Sequence, residues 1–323
     1  MGKSEDKSLM SKPENQLFHS YDLLRESSFT HTRFLFNSPR HLWLQSGKNW
    51  RIYEALEEDT SAVKVRIAFH IDAGEASSPF RAPFGFLEIY RKISANELTG
   101  FFSLIEADLK NRGVRKIQIK SYPEVYDKNF GMVVEEMLKR LQYSATQEAS
   151  SIIPVDRKPF DKKIKISERQ KLRKAKQLFS FEKVKRTYLK EIYSFIEECR
   201  NERNQSLSMS FVELKKAVLN FPRHFSLYRV HDASGTAAAA IVISVSKEIL
   251  YTFYYAHARR FDKVSPVVLL MDGIYEVAQE QGIEMIDLGT SMVNGKVNRS
   301  LLHFKKSIGA QTNRKLIFEK TLV

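Results

Sequence analysis

Residues 287–310 read DLGTSMVNGKVNRSLLHFKKSIGA, in which an apolar, a polar and a basic part follow one another. An acidic residue, Asp287, leaves an apolar strand, a polar loop follows, and a basic Phe-Lys-Lys segment closes it. A phosphate-binding P-loop is excluded, because that motif needs Gly-Lys-Ser/Thr at a helix start and Gly295-Lys296 is followed by Val297. The stretch is therefore read as a strand followed by a crossing loop.

The elements before this stretch repeat an earlier part of the chain. One helix candidate has apolar residues at offsets 0, 3, 4, 7 and 11, and a later one has the same offsets. This spacing places a single apolar stripe on an amphipathic helix. After each helix, a glycine suited to a helix C-cap precedes an alternating apolar strand. The second stripe and its glycine, Gly282, each lie 169 residues after the first stripe and its glycine, Gly113. The stripes are Leu98, Phe101, Phe102, Ile105 and Leu109, and Val267, Leu270, Met271, Ile274 and Ala278.

Strands are predicted around both helices. In the second unit, residues 225–230, 237–245 and 249–256 form a β-meander that leads into the helix. In the first unit, residues 63–71 and 84–90 are also strand-like. We therefore predict an α/β protein of two related α+β units in tandem, each with a mixed sheet. One continuous parallel sheet is not expected.

The length agrees with two domains. A chain of 323 residues can hold two domains of ordinary size, each with its own core. We predict a flexible N-terminal tail at residues 1–15, a first domain at 16–152 and a second domain at 153–323 that carries the main site.

The composition is that of a positively charged globular protein. The hydrophobic fraction is 43% and the formal net charge is +14. The longest apolar run, residues 237–243, is too short to span a bilayer, and the start of the chain lacks the apolar core of a secretion signal. Cys199 is the only cysteine, which favours the reducing cytoplasm. The eight histidines lack metal-ligand spacing, so we expect no metal.

The sequence resembles the FemABX-type acyltransferases, which consist of two fused GNAT-fold domains. The resemblance covers roughly residues 15–320 and is carried by 78–85 (SPFRAPFG), 170–175 (QKLRKA), Asp287-Leu-Gly289 and 302–310 (LHFKKSIGA). It implies transfer of an aminoacyl group from aminoacyl-tRNA to an amine, often on a cell-envelope precursor. Relatives with the same architecture use other donors, so acyl-CoA is the second candidate donor, and no permanently bound cofactor is expected.

Three residues are candidates for the chemistry. Asp287 alternates with apolar neighbours, so it can point into a cleft and accept a proton; the alternative is an Asp that caps a turn. Lys305 is a candidate for stabilising the oxyanion that forms when an amine attacks an ester or thioester; the alternative is a solvated charge. Tyr254, at a strand end, is a candidate proton donor, with core packing as the alternative.

The predicted donor site departs from the usual acyl-CoA pattern. GNAT enzymes that use acyl-CoA carry Arg/Gln-x-x-Gly-x-Gly/Ala at a helix start, where backbone amides bind the pyrophosphate. Here Lys263 and Ser265 follow Arg260 at these positions, and a side chain obstructs close backbone approach. The candidate donor-binding residues are Arg260, Lys263, Ser265 and Lys306.

The acceptor side is assigned to the loop at residues 78–85. Its two prolines fix an extended course, and its phenylalanine rings can line a groove. A β-edge crossing that buries the rings is the alternative. The candidate acceptor-binding residues are Phe80, Arg81 and Phe84.

The positive charge is concentrated in residues 157–190, which contain 14 Lys/Arg and three acids. The part at 162–176 reads as a helix that either contacts RNA phosphates or presents a solvated basic face. The candidate tRNA contacts are Lys162, Lys163, Arg169, Arg173 and Lys176.

We therefore expect an N-acyltransferase or aminoacyltransferase that acts on an amine-bearing acceptor without a covalent enzyme intermediate. Two alternatives stay open: a non-catalytic nucleic-acid-binding protein that retains the fold, and an ordinary acyl-CoA acetyltransferase that modifies a small molecule.

Overall fold

A computed structural model describes residues 17–29, 31–293 and 295–322. The predicted tail at 1–15 lies outside these residues. The helices are α1 (Pro39–Gln45), α2 (Ala95–Asn111), α3 (Lys128–Arg140), α4 (Ile166–Leu178), α5 (Leu189–Asn201), α6 (Phe211–Asn220), α7 (Pro266–Glu280) and α8 (Arg299–Ser307). The strands are β1 (Leu17–Asp22), β2 (Trp50–Leu56), β3 (Val63–Asp72), β4 (Glu75–Ser78), β5 (Glu88–Ile89), β6 (Lys116–Lys120), β7 (Ser144–Pro154), β8 (Ser180–Val184), β9 (Phe225–Asp232), β10 (Gly235–Ser244), β11 (Ile249–His257), β12 (Met285–Thr290), β13 (Met292–Val293), β14 (Lys296–Val297) and β15 (Gln311–Thr321).

The two halves of the chain have the same strand order, as the repeat predicts. The first half runs β1-β2-β3-β4-β6 and the second runs β8-β9-β10-β11-β12. In each half one strand that precedes the long helix pairs in parallel with the strand after that helix: β4 with β6, and β11 with β12. In the first half the short strand β5 lies between β4 and α2 and pairs with β3. The remaining pairings among the described strands are antiparallel, so the sheet is mixed.

The last strand of each half is exchanged into the sheet of the other half. β7 follows α3 of the first half but pairs with β12, and β15 follows α8 of the second half but pairs with β6. β7 and β15 also pair with each other, which joins both halves into one 13-stranded sheet. The proposed domain boundary at residues 152–153 falls inside β7. We still propose two domains, each of which takes its last strand from the other half of the chain.

In the first half one predicted strand was largely wrong and one strand was missed. Within 84–90 only Glu88–Ile89 forms a strand, and the strand that pairs with β6 is Glu75–Ser78, which the sequence did not indicate. The apolar residues Phe84, Phe86 and Leu87 lie in a loop but are buried in the core. Their apolar pattern therefore reflects burial and not strand pairing. β4 has the sequence Glu-Ala-Ser-Ser, which contains one apolar residue and therefore no apolar alternation that would indicate a strand.

The segment after β12 also differs from its prediction. Asp287 lies on β12, and a further strand of the same half, β15, follows α8. The crossing loop contains the short strands β13 and β14 and then α8, whose N-cap is Asn298. The candidate residue Lys305 is therefore placed by a helix.

Candidate active site

A main cleft of about 1020 Å³ opens in the second half, between α5, β11, β12 and α8. Its lining includes Arg200, Tyr251, Gly289 and Lys305. The cleft exists because β11 and β12 pair only from Ile249 and Met285 to Tyr251 and Asp287, after which the strands separate. A β-bulge lies at the same level, since Thr252 and Tyr254 face consecutive residues of β10.

Lys305 is buried in the wall of the main cleft, with 1% of its surface exposed. Its ammonium donates hydrogen bonds of 2.9 Å to the carbonyl oxygens of Gly289 and Thr290. An ammonium has three donors, so one N–H is left for a ligand in the cleft. Burial lowers the pKa of Lys305 to about 8, although the nearby Asp287 carboxylate acts in the opposite direction. The residue can therefore stabilise negative charge and can also release its proton near neutral pH.

Asp287 lies in a second cavity, the inner pocket, which has a volume of about 210 Å³. Its carboxylate accepts hydrogen bonds from the Tyr126 hydroxyl at 2.7 Å, the Gly289 amide at 2.6 Å and the Ser150 hydroxyl at 3.3 Å. Burial raises the pKa of Asp287. The alternation on β12 works as expected, because Ile286 and Leu288 enter the core on the opposite face.

The main cleft and the inner pocket meet at a shared wall. Tyr251, Gly289 and Thr290 line both cavities. Asp287 holds the Gly289 amide while Lys305 binds the Gly289 carbonyl, so one glycine connects the two candidate groups. Gly289 has φ +73°, a conformation that glycine adopts without strain.

Tyr254 does not line the main cleft. Its hydroxyl is within 2.7 Å of the Ser208 hydroxyl and accepts a hydrogen bond of 2.9 Å from the Met209 amide. The β-bulge shifts the alternation of β11, so Tyr251 and Tyr255 line the cleft instead. Tyr251 is the tyrosine placed between the cavities, and its hydroxyl makes no hydrogen bond with the residues that the structure describes.

Of the four predicted donor-binding residues, one lines the main cleft and three do not. Ser265 is buried at the N-cap of α7 and lines the main cleft. Arg260 and Lys263 are exposed outside the lining, and the Arg260 guanidinium lies over the Phe261 ring. Lys306 is also exposed, because consecutive residues of a helix point about 100° apart and Lys305 occupies the inward position.

Other cations line the main cleft and were missed by the sequence analysis. They are Lys171, Arg200 and Arg203, and the acidic residue in the lining is Asp262, which pairs with Arg203 at 2.8 Å. Arg200 follows the apolar stripe of α5 in its last turn, a place where cations are common at any helix end. No motif in the sequence distinguishes these arginines from ordinary helix-terminal charges.

The predicted acceptor loop contributes to a third cavity, the outer groove, of about 800 Å³. Phe80 and Arg81 line this groove, and Phe80 stacks on His70 with 4.0 Å between the ring centroids. Phe84 is buried in the wall of the inner pocket. Ala82, Pro83 and Lys120 line both the groove and the inner pocket, and Tyr251 lines all three cavities.

Most of the candidate tRNA contacts in the basic segment, residues 162–176, bind other residues of the same chain. Lys163 pairs with Asp156 at 2.7 Å, and Lys176 pairs with the buried Asp272 at 2.7 Å. The Arg169 side chain donates to the Asp161 carbonyl at 2.9 Å. Lys162 and Arg173 are exposed, and none of the five predicted tRNA contacts lines the main cleft.

Neither a metal site nor a membrane-spanning helix is found among residues 17–29, 31–293 and 295–322. No group of histidine, cysteine and carboxylate residues there could hold a metal ion. No helix in the same part of the chain is long and apolar enough to cross a membrane.

Comparisons with known proteins agree with this architecture. Residues 166–305, which end at Lys305, match the acetyltransferase (GNAT) domain family. No curated protein sequence matched. Among solved structures, the chain is similar to FemX, with a TM-score of 0.67, 14% identity, and 91% of this chain and 94% of that chain covered.

Two further structures share the fold at low identity. L-PGS from Bacillus licheniformis has a TM-score of 0.53 and 12% identity, covering 86% of this chain and 85% of that chain. A tandem GNAT protein from the clavulanic acid biosynthesis pathway has a TM-score of 0.51 and 10% identity, covering 84% and 82%. The chain thus has the fold of these tandem GNAT proteins, and residues 166–305 in its second half match the acetyltransferase (GNAT) domain family.

Proposed function

We propose that the protein is an N-acyltransferase that transfers an acyl or aminoacyl group directly to an amine. The observation that carries this proposal is the buried Lys305 ammonium, which uses two donors on the Gly289 and Thr290 carbonyls and keeps one for the main cleft. A positioned cation in a cavity shielded from water stabilises the oxyanion of an acyl-transfer intermediate. The match of residues 166–305 to the acetyltransferase (GNAT) domain family supports the same reaction class.

The three cavities suggest the course of the reaction. The donor carbonyl lies in the main cleft against Lys305, and the acceptor amine arrives from the inner pocket. The amine nitrogen attacks the carbonyl carbon, Lys305 stabilises the oxyanion, and Asp287 accepts the proton that the nitrogen loses. The intermediate then collapses and expels the donor's thiolate or ribose oxygen. Direct attack is the economical path, because the donor and acceptor cavities meet at Tyr251.

The donor phosphates are assigned to cations inside the main cleft. Arg200, Arg203 and Lys171 line it, whereas Arg260 and Lys263 do not. The Ser265 side chain and the N-terminus of α7 lie at the same cavity and favour negative charge. Acyl-CoA and aminoacyl-tRNA both carry phosphates, and both remain donors in this proposal. Both are made in the cytoplasm, where we place the reaction, and a cell-envelope amine is included among the acceptors.

The donor assignment is tested by comparing two double variants. Arg200→Gln with Arg203→Gln should raise the donor KM at least about tenfold, because each lost charge-assisted hydrogen bond is worth roughly 1.5–3 kcal/mol. The acceptor KM should change little. Arg260→Gln with Lys263→Gln is the matched control, and a larger effect in the control would return the donor phosphates to the sequence-predicted position.

The reaction class is tested by incubating pure protein with labelled acyl-CoAs, or with charged tRNAs, and a panel of amines. We expect label to move to an amine with wild-type protein and with Lys306→Met, and not with Lys305→Met. Absence of transfer from both donor classes across the panel would contradict the proposal.

A tRNA contact through the basic segment is tested with its two exposed members. Lys162→Gln with Arg173→Gln should weaken tRNA binding and flatten its salt dependence if the segment touches phosphate, since each lost contact lowers the log–log slope by about 0.7–0.9. Lys163 and Lys176 are left intact because they hold Asp156 and Asp272. Unchanged tRNA binding and slope would assign the segment to a structural role.

A further inference from the structure

The outer groove has an apolar wall and an excess of positive charge. Its apolar lining includes Phe36, Leu44, Met209, Phe225 and Phe253. Its charged lining consists of Arg81, Lys120, Lys216 and Glu213. His41 also lines the groove, but burial lowers its pKa to about 3, so its ring is neutral at physiological pH. The groove therefore favours an elongated apolar ligand that carries negative charge.

The charged residues of the groove differ in what they are free to bind. Glu213 accepts hydrogen bonds from the N-cap residue Ser210 of α6, and Arg81 lies 3.5 Å from Glu213 with 65% of its side chain exposed. Lys216 is exposed at the rim. Lys120 is half-buried and makes no ion pair or side-chain hydrogen bond with the described residues.

Lys120 also lies where the outer groove meets the inner pocket. It lines both the outer groove and the inner pocket, and the inner pocket contains Asp287. The other lysine of the inner pocket, Lys315, is paired with Glu148 at 3.0 Å. A pocket of about 210 Å³ is small enough for one ligand to reach both Asp287 and Lys120.

On the basis of the proposed function, we infer that the acceptor is a primary amine with an anionic group close to the nitrogen and an apolar body. The amine lies against Asp287 in the inner pocket, the anionic group is bound by Lys120, and the apolar body lies in the outer groove. A carboxylate and a phosphate-type group both satisfy Lys120, because an ammonium recognises either as a point charge.

Matched small amines test this inference by binding alone, without donor. The probes are phenylalanine, its phosphonate analogue 1-amino-2-phenylethylphosphonate, and the neutral phenylalaninamide, with binding followed by saturation-transfer NMR. Wild-type protein should bind at least one anionic probe about tenfold more tightly than the amide, as expected for one charge-assisted hydrogen bond. The tighter of the two anionic probes identifies the carboxylate or phosphate-type group.

Three variants locate the binding. Lys120→Gln should remove the preference for the anionic probes and leave amide binding unchanged. Lys116→Gln is the matched control, because Lys116 lies on the same strand but pairs with Glu319 and lines none of the three cavities. Ala82→Trp, which fills the junction of groove and pocket, should abolish binding of all three probes.

The outcomes separate this inference from the proposed function. Equal affinity for charged and neutral probes, a preference that survives Lys120→Gln, or no binding of any probe to wild-type protein would overturn the inference. If the protein transfers acyl groups to amines without preferring anionic ones, the proposed function is supported and this inference is contradicted. Lys120-dependent binding without any transfer would support the groove assignment and contradict the proposed function.

Discussion

Lys305 and Lys306 are adjacent residues with different environments. Lys305 is buried and bonded to two backbone carbonyls, whereas Lys306 is exposed on the outer face of α8. Burying a lysine charge lowers the stability of the fold unless that charge is compensated. A buried cation at a cleft is therefore better explained by the chemistry of the site than by folding.

Replacing Lys305 should separate function from stability. Lys305→Met should lower kcat by about 10²–10³-fold, the effect of removing one oxyanion-stabilising group. Removing the desolvated charge favours the fold, whereas the Gly289 and Thr290 carbonyls lose their donor, so the free energy of unfolding at pH 7 should change by no more than about 1–3 kcal/mol. Steady-state kinetics and urea denaturation measure the two effects, and Lys306→Met should change neither.

The lowered pKa of Lys305 also predicts a pH dependence. Protonated Lys305 is the oxyanion-stabilising form, so kcat should fall as pH rises through about 8. Between about 8 and 10.5 the unfolded lysine keeps a proton that the folded lysine has lost, so this residue makes the fold more stable as pH rises. Lys305→Met should lose both dependences, and a wild-type rate that stays constant from pH 7 to 9 would contradict the assignment.

Asp287 is bound by residues from both halves of the chain. Tyr126 and Ser150 precede the second half, and each hydroxyl donates to the Asp287 carboxylate. Tyr126→Phe should lower the free energy of unfolding by about 1–3 kcal/mol, because one carboxylate oxygen loses its donor in a buried place. Chemical denaturation measures the loss, and Tyr188→Phe, at an exposed tyrosine, is the control expected to have little effect.

At the scale of single elements, α2 and α7 carry the same apolar spacing but are packed differently. α2 buries one stripe and leaves the opposite side exposed. α7 is buried on nearly all sides of its first three turns, because α4 covers its outer face and Lys176 pairs there with Asp272. The spacing predicted both helices correctly, but it did not indicate that α7 is covered by a second layer.

Two glycines measure this difference directly. A Cβ at Gly273 of α7 would lie 2.4 Å from the Phe181 ring of β8, whereas a Cβ at Gly100 of α2 has no atom within 4 Å. Gly273→Ala should destabilise the protein by about 1–3 kcal/mol through overpacking. Gly100→Ala should stabilise it by about 0.5–1 kcal/mol, the helix propensity difference. Denaturation midpoints give both signs, and the same sign for both variants would show that α7 is not packed as described.

At the scale of the whole molecule, the exchanged strands make each half incomplete without the other. β15 supplies the neighbour of β6, and β7 supplies the neighbour of β12. The exchange also brings Ser150 on β7 beside Asp287 on β12, so the inner pocket depends on residues from both halves.

Separated halves should therefore fail to fold. A fragment of residues 159–323 lacks β7 and leaves one edge of β12 without a partner, while β15 loses both neighbours. We expect no cooperative thermal unfolding of this fragment, and we expect cooperative unfolding only after it is mixed with residues 1–158. A fragment that unfolds cooperatively by itself would show that the exchange is not needed for stability.

The sequence alone determined the repeat, because helix stripes and glycine C-caps are local patterns that survive in any packing arrangement. It predicted the two long helices, the burial of their stripes and the β-meander of the second half, and the role of Lys305 stays a prediction. It missed β4, the exchange of β7 and β15, and the cleft residues Arg200 and Arg203, since none of these leaves a local pattern in the chain. Tertiary structure decided which of two adjacent lysines is buried, which tyrosine of β11 reaches the cavities, and that Asp287 faces a different cavity from Lys305. Each of these depends on pairings between residues far apart in sequence, where the direction of a side chain is set by partners that the local pattern does not contain.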